Sequence, residues 1–412
     1  MIINLATIDF NGGGGGGNAK PAVLQEKSIG ILQNGSQTVI PDEGYDGLSS
    51  VDVNVAITGA SSAIDFSSIG YDAKSSAELN SVWNNDVAYS KTLYDKWNPS
   101  SISALEINPP YNYELVYYPA YPVEELTDTK NIYCYGCSKM VYFPTFNSDK
   151  VRIGQNAFNG CSALTKLDLS GVSQEANLKW AFQKCGQLTE IVLPPNCIIT
   201  AVEGLKQAFE YCSGLTEVVN FETSSPSGIT TIEGTFRGCK ALKKIDIAHW
   251  DTSLVENTNN TFYGCGALEE LVIPENLGHL CTSWSYFLAD CTALKTITGS
   301  ISLKGAKSSV SSGGITGYTL LSNLRKFNIR DIGYTSGCTS FDVHYLGNWG
   351  VNTDEIPDAR QSLFDSLITY SFDRTSAGYS TCAIKLSKTT FALLTDDEKA
   401  QITAKGYTVA SA

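Results

Sequence analysis

"AFNGCSALTKLDL", residues 157–169, returns as "AFQKCGQLTEIVL" at 181–193, "AFEYCSGLTEVVN" at 208–220, "TFRGCKALKKIDI" at 235–247 and "TFYGCGALEELVI" at 261–273. A phenylalanine and a cysteine three residues apart are followed, at fixed distances, by a ladder of Leu, Ile or Val. The aligned cysteines are Cys137, Cys161, Cys185, Cys212, Cys239, Cys265 and Cys291, separated by 24, 24, 27, 27, 26 and 26 residues. The ladders run Leu164, Leu167, Leu169; Leu188, Ile191, Leu193; Leu215, Val218; Leu242, Ile245, Ile247; Leu268, Leu271, Ile273; and Leu294, Ile297. A degenerate copy, "LSNLRKFNIRD" from 321, keeps the ladder and puts Leu321 in the cysteine's place.

A period of about 20–29 residues with an L-x-x-L-x-L core is the signature of a leucine-rich repeat. Each repeat supplies a short strand and a returning half-turn, and neither buries its apolar face alone. Stacking neighbours about 4.8 Å apart builds a parallel sheet along one side. The predicted fold is therefore mainly β with short helices: an α/β solenoid with a parallel sheet on one face.

The cysteines admit four readings: disulfides, metal ligands, nucleophiles or packing. A column of seven equivalent residues leaves one unpaired as disulfides, and nucleophilic catalysis needs one special cysteine beside a base. Only Cys134-x-x-Cys137 has metal-like spacing, with three histidines in the whole chain. Packing fits best, since a free cysteine is a small, easily buried hydrophobe. Phe158 and Cys161, on one face of a helical turn, are expected to enter the core together.

Outside the array the chain changes character. Residues 1–18 hold a β-prone leader, with Ile2, Ile3, Leu5, Ile8 and Phe10, and six glycines, Gly12 to Gly17. Polyglycine is a flexible coil, so this segment reads as a loose tail or as a tether whose leader docks on a partner. Residues 19–60 read as a small β module, with a hairpin turn at Asn34-Gly35 and an alternating strand Val51, Val53, Val55, Ile57. Residues 61–130 read as a helical and extended connector capping the array, 131–345 as the solenoid, and 346–412 as a degenerate repeat and terminal cap. In that cap Thr395 and Glu398 form a capping box, Gly406 takes the helix C′ position, and Tyr407 to Val409 form a last strand.

With Phe-x-x-Cys-x-x-Leu-x-x-Leu-x-Leu in view, residues from about 131 to 345 resemble the BspA-type leucine-rich repeat family. The prolines of "LPPN" (193–196) and "IPEN" (273–276) match its turn. The resemblance implies a bacterial, non-enzymatic adhesion protein. The flanks "NGSQTVIPDEGYDGLSSVDVNVAI" and "TCAIKLSKTTFALLTDDEKAQITAKGYTVA" resemble phage and prophage virion proteins of gut bacteria. They imply a virion location and a role as a fibre or tail appendage for host attachment. Its partners would be other virion proteins, through the leader, and a host surface protein or glycan. The alternative is a cell-surface adhesin, and a remoter one a cell-surface glycan hydrolase. "MIINLATIDFNGGGGGGNAK" has no basic n-region and too short an apolar stretch for a secretory signal, which favours assembly over export.

A net charge of −13 argues against nucleic acid and anionic membranes as partners. No cofactor or metal is implied. Asp396, Asp397 and Glu398 read as a helix first turn rather than as a glycosidase pair. His249, His279 and His344 have no recurrent partners, and no GxSxG, phosphate loop or HExxH occurs. The absence of a heptad seam leaves homo-oligomerisation open.

Binding is expected on the outward positions of the sheet. These form two columns: Lys166, Glu190, Glu217, Lys244, Glu270, Thr296 and Asp168, Val192, Val219, Asp246, Val272, Thr298. Alternating charge is also how a solvated sheet stays soluble. Exposed valines in one column favour a contact surface. Tyr111, Tyr113, Tyr117, Tyr118 and Tyr121 read as a cap on the first repeat or as a sugar-stacking cluster.

Overall fold

The computed structural model describes residue 126 and residues 128–412, apart from 141, 142, 144, 308 and 309, together with the strand backbones at 29–33, 36–40 and 104–106. The leader with Ile2, Ile3, Leu5, Ile8 and Phe10, the valines of 51–57, the helical reading of 71–99 and the tyrosines of 111–121 lie outside the described residues. Strands β1 (Ile29–Gln33) and β2 (Ser36–Ile40) pair antiparallel, with Gln33 opposite Ser36. This register agrees with the hairpin predicted at Asn34-Gly35, two residues that themselves lie outside the described ones.

Each coil is organised by its Phe-x-x-Cys turn. The Cys N–H bonds to the Phe carbonyl three residues back, at 3.0 Å for Cys161 and 3.1 Å for Cys212. These segments are turns and not helix as the i, i+3 spacing implied, but Phe and Cys still enter the core together, both wholly buried at 158/161, 182/185 and 209/212.

Beyond the turn the ladder residues form the sheet. At the N-terminal end, β3 (Ala104–Glu106), β4 (Lys130–Tyr133) and β5 (Val151–Ile153) make one parallel sheet, which starts inside the segment read as connector. Next come β6 (Lys166–Asp168), β7 (Glu190–Val192), the two-residue β8 (Ile198–Ile199), β9 (Glu217–Val219) and the two-residue β10 (Ser225–Pro226). The array continues through β11 (Lys244–Asp246), β12 (Glu270–Val272), β13 (Thr296–Ser302), β14 (Val310–Ser311) and β15 (Lys326–Arg330). On the main face β6-β7-β9 form one parallel sheet and β11-β12-β13-β15 another. A second, narrow ladder runs along another edge of the coils: β8 pairs β10, and single bridges join Ser148 to Val172, Glu175 to Ile198 and Thr231 to Asn257.

Inside, the phenylalanines stack. Phe158, Phe182, Phe209, Phe236 and Phe262 lie with neighbouring centroids 5.3–5.9 Å apart and ring planes within 5–9° of parallel. Phe143 meets this stack edge-on at one end and Phe287 at the other. Beside it runs the thiol column. The Sγ of Cys185 donates to the carbonyl of Phe158 (3.1 Å), Cys212 to Phe182 (3.0 Å), Cys239 to Phe209 (3.1 Å), Cys265 to Phe236 (3.1 Å) and Cys291 to Phe262 (3.0 Å). Each of these five thiols thus reaches the phenylalanine of the preceding coil. Cys161 donates in the same way to the carbonyl of Cys134 (3.1 Å), so Cys134 occupies the phenylalanine position of the first turn. Its CxxC spacing with Cys137 is the repeat motif itself.

The C-terminal end is closed by β16 (Ser340–Asp342), β17 (Cys382–Leu386) and β18 (Tyr407–Ser411), parallel to one another and to β14. Four short α-helices belong to this region: α1 (Ser312–Thr316), α2 (Ala359–Phe364), α3 (Lys388–Ala392) and α4 (Asp396–Ala404). Thr395 and Glu398 form the predicted reciprocal cap of α4, and Gly406 follows it at φ +90°. The open edge of β15 is covered from α2 and the π-helical segment Asp365–Thr369 that continues it: the N–H of Phe327 donates to Ser362 Oγ (3.0 Å) and that of Ile329 to Ser366 Oγ (2.9 Å). Trp349 Nε1 donates to the Phe327 carbonyl at 2.8 Å. Arg374, fully buried, is balanced by the carbonyls of Gly333, Thr335 and Ser380 at 2.6–2.9 Å.

Burial pushes the Cys185 and Cys265 thiols up from near 9 to about 12, and it also raises Cys161, Cys212, Cys239 and Cys291 well above the usual thiol value. In the unfolded chain these thiols ionise from about pH 9 while the native ones stay protonated. The unfolded state then holds fewer protons, so stability falls as pH rises. Urea unfolding should show stability that is whole below about pH 9 and shrinks steadily toward pH 12. Phe209→Ala should cost about 3–5 kcal/mol. Cys212→Ala, which loses one weak donor and a small volume, should cost about 1–2 kcal/mol.

Candidate functional site

The ladder alternates strictly: Leu167, Ile191, Val218, Ile245, Leu271 and Ile297 point in, and the residues on either side point out. Register makes the outward residues into columns. Lys166 stands beside Glu190 and Glu190 beside Glu217; Asp168, Val192 and Val219 form the second row. In the other sheet Lys244, Glu270 and Thr296 align, as do Asp246, Val272 and Thr298. The structure therefore brings the twelve predicted residues together as two groups of six, not as two unbroken columns.

The break lies between β9 and β11, and its cause is local. The third ladder rung, Leu169, Leu193, Ile247 or Ile273 elsewhere, is here Asn220, at φ +64° and with its side-chain amide donating to the Leu193 carbonyl (2.8 Å). Phe221 enters the core instead. Its ring sits edge-on to Phe209 (5.8 Å), Phe236 (5.6 Å) and Trp250 (5.2 Å). These aromatics hold apart strands whose coils remain in contact at the phenylalanine stack, where Phe209 and Phe236 are 5.4 Å apart. Most Cα pairs of β9 and β11 stand more than 8 Å apart, against about 4.8 Å for paired strands. The result is a fissure of 460 Å³ in the middle of the sheet face. Its floor is Val218, Phe221, Phe236, Leu242 and Ile245, and its rim carries Glu217, Glu222, Lys243, Lys244 and Asp246.

A second irregularity marks the other missing rung. At that position Gly299 adopts φ +90°, and a Cβ there would lie 1.9 Å from the Ile273 carbonyl. The register of β13 against β15 shifts between Thr296 and Ser300.

Charge on the face is partly self-neutralised. Lys166 pairs with Glu190 at 3.2 Å and Lys244 with Glu270 at 3.1 Å, both between exposed or half-exposed side chains. Such pairs contribute about 0–1 kcal/mol. The acidic run at α4 is consumed by its cap: Glu398 takes the Thr395 N–H and Arg360, and Asp396 pairs with Lys399. Burial would raise the Glu398 carboxyl, but the Thr395 N–H and Arg360 hold it below its usual value. His344 has a partner that the sequence did not reveal, Asp342 Oδ1 at 2.5 Å, and its ring lies on Tyr345. Among the described residues no hydroxyl or thiol bonds to that imidazole, and no group of three or more His, Cys, Asp or Glu is placed to hold a metal. Among them, too, no helix is long and apolar enough to cross a membrane.

Residues 127–224 and 205–330 match the model of the BspA type leucine rich repeat region, in six copies. The repeat array belongs to the BspA-type leucine-rich repeats. Among curated proteins none matches the chain. Among the four chains of solved structures that match are two leucine-rich proteins. One is a leucine rich cell surface protein from Faecalibacterium prausnitzii, 12% identical over 63% of this chain and 83% of its own, with a TM-score of 0.21. The other is a leucine-rich repeat protein from Bacteroides ovatus, 13% identical over 74% of this chain and 85% of its own, with a TM-score of 0.23.

Because the column side chains pack against nothing in the core, they are free to vary. Lys166→Ala and Lys244→Ala should each change the unfolding free energy by less than about 1 kcal/mol. A loss of several kcal/mol at either position, measured by urea unfolding, would make the face a structural element instead.

Proposed function

We propose that the chain is a non-enzymatic attachment protein of the bacterial cell surface, using the main sheet face of its BspA-type array to hold a protein or glycan. The observation that carries this reading is the contrast within each strand. One residue is committed to the core, while its two neighbours stand outward, in register, on a rigid backbone. Side chains placed in this way bind without reorganising. The half-exposed Val192, Val219 and Val272 add apolar area to a face otherwise held in solution by charge.

The clusters that would favour a hydrolase are occupied structurally, as at α4. The flank resemblance to virion proteins has no counterpart among the matched family and structures, so the surface location is the better supported of the two. Recovery of the chain at fixed copy number in purified phage particles would reverse that order.

Binding of the purified full chain to cell-surface glycan and protein arrays tests the reading. Val192→Asp with Val272→Asp, and Lys166→Glu with Lys244→Glu, should each lower array binding at least about tenfold while leaving the unfolding midpoint near wild type. Undiminished binding by both variants would remove the sheet face from the function. Release of shortened glycans would replace attachment with hydrolysis.

A further inference from the structure

We propose that the fissure between β9 and β11 is a binding site for an extended peptide segment carrying basic side chains, which enters the gap as a strand and joins the two halves of the sheet. This deepens the attachment reading and rests on it for the face involved.

Three observations carry the inference. First, the gap is bordered by two strand edges that the fold leaves without a partner strand. Edge strands offer rows of N–H and C=O groups that pair readily with another chain, and addition of an extended peptide is a recurrent mode of recognition. The molecule treats its other edge on this sheet differently: Ser362 and Ser366 take the N–H groups of β15, and Trp349 takes a carbonyl. Nothing comparable covers β9 or β11 among the described residues.

Second, the dimensions suit a strand. The two edges stand wider apart than one strand spacing, and a volume of 460 Å³ lies within the range of about 300–1,000 Å³ seen for ligand sites. The apolar floor would receive every second side chain of the guest, as the two-residue period of a strand requires.

Third, the rim is acidic and uncompensated. Glu217, Glu222 and Asp246 make no ion pair among the described residues, whereas Lys244 is held by Glu270 at 3.1 Å. Among the described residues of the rim, Lys243, whose charge also acts on Glu269, is then the one cation outside an ion pair, against three carboxylates. A guest with Lys or Arg flanking an apolar centre complements both rim and floor.

The test titrates the full-length chain with a fluorescein-labelled peptide, Lys-Thr-Val-Thr-Val-Thr-Lys, followed by anisotropy and by amide hydrogen exchange. Saturable binding is expected, with slowed exchange over 214–222 and 241–248. The Glu217→Lys/Glu222→Lys double variant, altered only at exposed positions, should bind at least about tenfold more weakly. Methylation of alternate backbone nitrogens in the peptide, which leaves the protein untouched, should abolish binding. Absence of saturable binding, or equal binding by the methylated or a Glu-flanked peptide, would overturn the proposal. If arrays are bound while the peptide is not, the fissure fails alone. If the peptide is bound while no surface is, the attachment reading fails alone.

Discussion

The structure depends on one short contact, the cysteine S–H to the phenylalanine carbonyl of the coil before it. A carbonyl has two lone pairs. In each turn one accepts the N–H of its own coil's cysteine, and the other accepts the thiol of the next coil. Alanine would fill much of the space and leave the second lone pair buried without a partner. Serine would supply a donor at a greater desolvation cost. Cysteine is small, apolar enough to be buried without penalty and still able to donate. The parallel phenyl rings follow from the same register, because a thiol can reach the preceding carbonyl only when successive coils are in step.

The regular part of this arrangement was legible because it repeats. The ladder, the Phe-Cys pair and the Thr395–Glu398 cap are each written as residue types at fixed spacing, and the structure places the ladder and the cap as read and the Phe-Cys pair in the core, though on a turn and not a helix. The narrow second ladder was not, since Ile198–Ile199 and Ser225–Pro226 are too short to show any alternation. The interruption of the sheet was legible in principle. The ladders at 215 and 294 have two rungs instead of three, with Asn220 and Gly299 in the third place. One marks the fissure and the other the register shift in β13.

These two irregularities show how a solenoid acquires a local site without losing its fold. The interior phenylalanine stack and the turn-to-turn hydrogen bonds continue past Asn220, with Tyr211 N–H to Arg237 carbonyl at 2.6 Å and Phe209 N–H to Thr235 carbonyl at 2.9 Å. Continuity on that side lets the sheet side open. The energetic cost falls on the few strand hydrogen bonds not made there. The burial of Phe221 and Trp250 offsets it.

The serine hydroxyls on β15 have a consequence for the molecule as a member of a crowded population. A stack of identical parallel strands is a template, and its last rung would recruit the first strand of any other copy, giving filaments without a natural length. Ser362 and Ser366 are short side chains on a helix and the π-helical segment that continues it, so they satisfy the N–H groups of Phe327 and Ile329 while presenting no strand of their own. The edge of β15 thereby offers no unpaired N–H at Phe327 or Ile329 to another copy of the chain.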